Sequence, residues 1–390
     1  MPDDHSPALP AALAPGLEAR VLRSREALDA LAERWLVLER KTVGATPFQS
    51  LAWAQAIFDF EARRGNTHFA PVIAVLEDAG RLVAVLPLER VATPMRAVLV
   101  PLGNGFTQYA DMLLDSGVEP QMAVKSLLKA ATRAGRCDVV SLLKVREGSS
   151  LAKGLPATRI ETGSEMGAPY VALDAFDDFA SYFATIRTKT RKNMRNARNR
   201  LERDGVVDHQ LVPPEQRRDL IERTLVGRAE RLREQGLTSR AFRDGGFPDF
   251  CTGLAERTDI RLLAFSLTHN GKPIAEQWGF VHGGRYYAYV AARDFSNSDE
   301  SPGKLQLGEI IRACSDLGLS GCDLGVPAMP YKITFATETV PVRDFALPVT
   351  AKGWLVTRAW DVVLRPALKA AMLRMPAGLR ARIMELTGGR

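Results

Sequence analysis

Apolar and polar positions in this chain alternate between two rhythms, one of period two and one helical. Ile260–Leu267 and Ile274–Val281 are apolar runs joined by Thr268-His269-Asn270-Gly271-Lys272-Pro273. Strand-like runs meeting at Asn-Gly predict a β-hairpin, because both turn residues tolerate positive φ. Arg285–Ala291 alternates aromatic and small residues, as a half-buried strand does. After Ser301-Pro302-Gly303-Lys304, the apolar residues of Leu305–Leu317 recur at helical spacing. A short strand is predicted around Cys322-Asp323-Leu324-Gly325, then a loop, Met329–Phe335, that carries Tyr331-Lys332.

The first half has the same order. Leu17–Leu22 reads as a strand, Ser24–Lys41 as a helix with Ser24 as its cap, and Leu51–Arg64 as a second amphipathic helix. Ala70–Leu76 and Leu82–Leu88 form a hairpin pair, followed by Ala97–Leu102, a short strand at Asp111–Leu114, a helix over Gln121–Ala134 and a strand at Asp138–Leu143. Hairpin, strand, loop, helix, strand therefore occurs twice, about 190 residues apart, as a duplicated domain would give. The expected architecture is α/β (α+β). It has two lobes, each a mixed, mostly antiparallel sheet flanked by helices, over residues 17–170 and 171–345. Residues 1–16, rich in Ala and Pro, read as flexible. Trp354–Leu386, within a tail spanning 346–390, reads as basic amphipathic helices broken at Pro366 and Pro376.

Composition narrows the picture. The 390 residues exceed one ordinary core, and 46% hydrophobic with 25% charged residues is the balance of a globular protein. No apolar run reaches the ~18–20 residues of a membrane span, and the N-terminus does not read as a signal peptide. Cys137, Cys251, Cys314 and Cys322 show no metal-ligand spacing. They read as buried thiols of a reducing compartment, so a cytoplasmic protein without a metal site is expected. The net charge of +7 is local. Arg187–Gly205 and Ala351–Arg390 each hold eight basic and two acidic residues, so the rest of the chain is net negative. Two anion-facing surfaces are implied.

Gly271-Lys272-Pro273-Ile274-Ala275, Ser301-Pro302-Gly303, Asp323-Leu324-Gly325 and Pro330-Tyr331-Lys332, in this order of elements, resemble the GNAT acyltransferase superfamily. Within it, the likeness is to the branch named after cellulose-biosynthesis acetyltransferases (the CelD/BcsL type), related to the FemAB transferases. The glycine-rich pyrophosphate loop of that superfamily is reduced here to Ser301-Pro302-Gly303 and Gly308. The resemblance implies transfer of an acyl group, acetyl above all, from acyl-coenzyme A to an amine or hydroxyl. The implied acceptor is a small molecule or a glycan or cell-envelope precursor. It also implies that the second lobe is catalytic, while the first, which lacks a Tyr-Lys pair, walls the acceptor cleft.

On this reading Ser301, Gly303, Lys304 and Gly308 hold the diphosphate at a helix start, where unpaired N–H groups favour an anion. Asp323 takes the acceptor's proton or holds the acceptor; the plain alternative is pairing with Lys332 or capping a turn. Tyr331 protonates the thiolate or packs on the donor, and Lys332 binds phosphate or pairs with Asp323. Glu276 shares a strand face with Ile274 and Trp278 and is a candidate general base, with Gln277 beside it. Arg191, Lys192 and Arg195 line the acceptor or coenzyme site, form a solvated helix face, or bind the aminoacyl-tRNA that FemAB-type relatives use. The C-terminal helices either pack on the second lobe or lie on an anionic membrane. A non-catalytic protein that keeps the fold as a scaffold is the remaining alternative.

Overall fold

The computed structural model describes residues 16–234, 246–293 and 302–375. Its first lobe contributes β1 (Leu17–Leu22), β2 (Pro71–Asp78), β3 (Arg81–Ala92), β4 (Ala97–Pro101), β5 (Leu113–Leu114), β6 (Val139–Arg146) and β7 (Ile160–Ala172). The second contributes β8 (Val207–Leu211), β9 (Leu262–His269), β10 (Lys272–His282), β11 (Arg285–Arg293), β12 (Gly321–Asp323) and β13 (Glu338–Pro348). All belong to one sheet, ordered β1-β2-β3-β4-β6-β13-β7-β12-β11-β10-β9-β8, with β5 beside β3. Both predicted hairpins form, and Asn270 and Gly271 take φ of 51° and 75° as the turn requires. Two ladders are parallel, β4 with β6 and β11 with β12, each crossed over by a helix, Pro120–Gly135 or Pro302–Asp316.

The last strand of each lobe is exchanged. β7 follows β6 in sequence but pairs with β12; β13 follows β12 but pairs with β6, and the two lie side by side at the centre. Positions 170 and 345 thus fall within strands whose partners belong to the other lobe. The apolar core is continuous across the same seam. Phe48 and Trp53 of the first lobe meet Phe280 and Phe250 of the second, with Phe48–Phe280 centroids 6.4 Å apart and Trp53–Phe250 edge to face at 5.3 Å.

Several expectations are corrected. Ser24–Lys41 is two helices, Arg25–Asp29 and Ala32–Lys41, the first capped by the Ser24 hydroxyl. The second-lobe crossover helix starts at Pro302, so Gly303 and Lys304 lie in its first turn rather than in a preceding loop; proline is preorganised for such a start. Helix runs from Ala351 to Arg374 without a break at Pro366. A wide-turn π segment, Thr357–Leu364, ends just before that residue, where the missing N–H and the ring disturb the bonding least. Pro376 and the rest of the tail lie outside the described residues. Among those described, no helix is long and apolar enough to cross a membrane, and all four cysteines are buried free thiols.

Candidate active site

β11 and β12 pair over only three residues, Arg285 to Gly321, Tyr286 to Cys322 and Tyr287 to Asp323. β11 then continues to Arg293 while β12 ends. On the other side of β11, Trp278 opposes Val290 and Gly279 opposes Ala288, which leaves Tyr289 as an extra residue. Such a bulge bends a strand and re-aims its edge. The two strands therefore part, and a cavity of about 620 Å³ opens between them. Ala288–Ala292 line one side, and no described strand pairs with that stretch on the side away from β10, so its backbone polar groups face the opening. Leu324–Pro327 line the other side, and the first turn of Pro302–Asp316 closes one end through Gly303 and Lys304. The first lobe supplies a wall, Gly105–Gln108 and Lys144.

The electrostatics favour an anion. Five basic side chains line the cavity, Lys144, Arg228, Arg231, Lys304 and Lys332, against one acid, Glu276. That acid is already engaged: Arg223 donates to its carboxylate from Nη2 at 2.7 Å and from Nε at 3.3 Å, and Ser266 Oγ lies at 3.5 Å. Burial pulls the Lys332 ammonium down to about 8, with Asp323 opposing and Arg228 adding to the shift. Lys332 Nζ donates to the Gly325 carbonyl at 3.0 Å. Burial likewise lowers Lys144, which Asp344 partly restores, and Arg228, which Tyr289 partly restores. Buried cations that repel one another call for a counter-charge. Gln306 adds a further demand. It is 2% exposed, and its amide nitrogen donates to the Phe265 carbonyl at 3.0 Å, while its buried oxygen has no partner. A ligand N–H or O–H would satisfy that acceptor.

Glu276, Gln277, Gly303, Lys304, Tyr331 and Lys332 of the sequence-derived set all line this cavity. Glu276 shares its face with Trp278, whose indole donates to Thr224 of the helix Arg217–Glu234 that also carries Arg223. Ile274 does not share it: the register shift between Pro273 and Ala275 sends that residue to a cluster with Ala197 and Leu201.

Asp323 takes the plain alternative of capping a turn. It is 1% exposed behind the cavity wall, where Oδ1 accepts from Tyr109 Oη at 2.9 Å and from Gly325 N at 2.8 Å. Oδ2 is ion-paired with Arg146 at 3.1 Å without an aligned hydrogen bond. These contacts tie the second lobe to the first, and Lys332 bonds to the Gly325 carbonyl rather than to Asp323. Gly308 also leaves the expected diphosphate group. It faces the Met194 methyl of the basic helix Thr188–Asp204, the mobile end of a long side chain, where that helix packs on Pro302–Asp316. On that helix Lys192 and Arg195 are exposed, and with Arg191 they line neither this cavity nor the smaller one beside it. Ser301 lies outside the described residues.

Lys144, Arg228 and Gln306 were not singled out from sequence. Each sits in an ordinary strand or helix pattern, and only folding brings them to one opening.

Residues 188–333 match the family model described as Acetyltransferase (GNAT) domain. Among solved structures the chain is similar to FemX, at TM-score 0.60 and 10% identity, covering 85% of this chain and 98% of that one. It is also similar to a conserved protein of unknown function from Bacteroides thetaiotaomicron VPI-5482, at TM-score 0.52 and 13% identity over 84% and 99% of the two chains. A C-terminal DUF2156 domain from Agrobacterium fabrum gives TM-score 0.51 and 16% identity over 85% and 96%. No curated protein sequence matches. The GNAT match lies within the second lobe, and the likeness in fold to FemX extends over both lobes.

Proposed function

We propose that the protein transfers an acyl group, acetyl in the first instance, from acyl-coenzyme A to an amine or hydroxyl acceptor. The observation that carries this reading is the gap between β11 and β12, with an unpaired strand edge on one side and a helix start on the other. A diphosphate at Gly303 and Lys304 meets first-turn N–H groups and a cation. Backbone N–H groups along Ala288–Ala292 then stabilise the thioester oxygen as negative charge builds on it. The acceptor's nitrogen or oxygen bonds to the acyl carbon as the carbon–sulfur bond breaks. Its proton passes to Glu276 or to the neutral fraction of Lys332, and Tyr331 gives a proton to the departing thiolate.

The cations opposite Glu276 suit an acceptor that bears a phosphate or carboxylate, as a glycan or cell-envelope precursor does, and suit the branch named after cellulose-biosynthesis acetyltransferases. Peripheral contact with a membrane through Ala351–Arg374 agrees with such an acceptor: Trp354, Leu355, Val363, Leu364 and Leu368 are all exposed there.

Calorimetric titration with acetyl-coenzyme A and free coenzyme A, beside Gly303→Glu, tests the donor. Micromolar binding that the variant loses supports the reading; no binding by the wild type removes it. A second reading, an aminoacyl-tRNA donor, is favoured by the exposed Lys192 and Arg195, which lie on an open basic helix face accessible to a large polyanion. It requires RNA affinity that falls steeply with salt and is lost on neutralising Arg191, Lys192 and Arg195.

A further inference from the structure

The helix from Ala351 to Arg374 is amphipathic in the reverse sense. Its inward side is small and polar: Gly353, Thr357 and Asp361, each four residues from the next, are buried. Gly353 lies against the Asp138 carbonyl with no room for a Cβ. Thr350 caps the helix start, accepting from Gly353 N at 3.0 Å while its hydroxyl donates to Asp138 Oδ1 at 2.9 Å. Arg96 donates to both oxygens of Asp361, at 2.6 Å and 2.9 Å. The outward side is apolar: Trp354, Leu355, Val363, Leu364 and Leu368 are 50–63% exposed. A helix that only covers a core turns such residues in and its polar ones out. The β3–β4 hairpin that supplies Arg96 also exposes Val91 and Met95. An apolar face held outward by fixed polar contacts is an interaction surface.

Charge identifies what it meets. Arg358, Arg365 and Arg374 are exposed on the same helix, and the Arg358 guanidinium lies 5.8 Å from the centre of the Trp354 ring. Asp361 is the sole carboxylate between Ala351 and Met375, and it is turned inward to Arg96. A second copy docked by the same face would set these cations against their own counterparts. Anionic lipid meets both demands: apolar side chains enter the boundary between headgroups and acyl chains, and guanidinium groups reach the lipid phosphates. We propose that this outward face seats the protein on an anionic lipid bilayer, with Trp354 and its apolar neighbours inserted and Arg358 and Arg365 on the phosphates. The membrane contact that suits the acyl-transfer reading thereby gains a defined surface and a lipid chemistry. That surface shares no residue with the cleft.

Co-sedimentation of the full-length protein with vesicles tests it. Vesicles of equal parts phosphatidylcholine and phosphatidylglycerol should bind about tenfold more tightly than phosphatidylcholine alone, and less tightly as salt is raised. Leu355→Glu with Leu364→Glu should abolish binding, and Arg358→Ala with Arg365→Ala should remove most of the preference for anionic lipid. Val43→Glu, the same change at an apolar residue 88% exposed outside the tail, should leave both intact. A melting curve checks that each variant is folded. No binding of the wild type to the anionic vesicles would overturn the assignment. So would unchanged binding by the glutamate pair, which would move the lipid contact to another surface. A lipid-free dimer that the glutamate pair dissolves would give the face to a second copy instead. None of these results bears on the cleft, because the acyl-transfer reading stands or falls on the coenzyme A titration.

Discussion

The two lobes repeat one plan, β2-β3-β4-helix-β6 and β9-β10-β11-helix-β12, yet the described residues surround the same point of that plan differently. In the first lobe β4 stops at Pro101, and Leu102 turns directly into the core. The start of its crossover helix is covered by the short helix Ser150–Gly154. Gly154 sits so close to the Pro120 carbonyl and the Val124 side chain that a Cβ there would collide with both. In the second lobe β11 outruns its partner by six residues, Ala288 to Arg293, and Gly303 and Lys304 at the helix start face a cavity. The same unit is thus a filled wall or an open cleft, according to strand length and what rests on the helix start. The wall in turn holds the cleft in place, since Tyr109 and Arg146 of the first lobe bind the Asp323 carboxylate that ends β12.

The largest effect should come from breaking that joint. Arg146→Met leaves the buried Asp323 charge uncompensated and should cost about 3–5 kcal/mol in chemical denaturation. If stability is unchanged, the joint is not what fixes the two lobes. Next comes Glu89 of the first lobe, whose carboxyl accepts from the N–H groups of Gly103 and Asn104, beside the loop that walls the cleft. Burial raises it to about 7. The folded state therefore holds a proton that the unfolded chain has released. The associated stability is complete below about 4.5 and lost as pH rises through about 7, a fall of about 3 kcal/mol. Denaturant titrations of Glu89→Gln should show this slope flattened.

A smaller loss, about 1–3 kcal/mol from overpacking, is expected of Gly154→Val, with coenzyme A binding unaltered because the filled lobe carries no donor site. Reduced coenzyme A affinity in a folded Gly154→Val protein would undo the distinction between the lobes. The smallest effect concerns Lys332. Its charge is lost as pH rises through about 8, so anion affinity in the main cavity should weaken by up to about tenfold above that pH. Lys332→Met should bind with little pH dependence over the same range.

Much of this was legible in the sequence because it is local. Asn270-Gly271 specifies its turn, the apolar runs specify their strands, and the spacing of Leu305 to Cys314 specifies a helix. Glu276, Gln277, Gly303, Lys304, Tyr331 and Lys332 reached the cleft because their elements formed where the pattern placed them. Three strands gave little signal. β7 carries exposed Glu161 and Glu165 where an apolar alternation would show, β13 contains Pro341 and Pro348, which argue against a central strand, and β8 is short and mostly polar.

Periodicity and turn chemistry, both set by neighbours a few residues apart, determined the elements, their order and the duplication. The exchange of β7 and β13, the ties of Asp323 to Tyr109 and Arg146, and the meeting of Lys144, Arg228 and Gln306 at one opening were decided only by the tertiary structure. These join residues as far apart as Tyr109 and Asp323, and no local pattern records such a pairing, because what fixes it is the burial of charge and apolar surface in the assembled sheet.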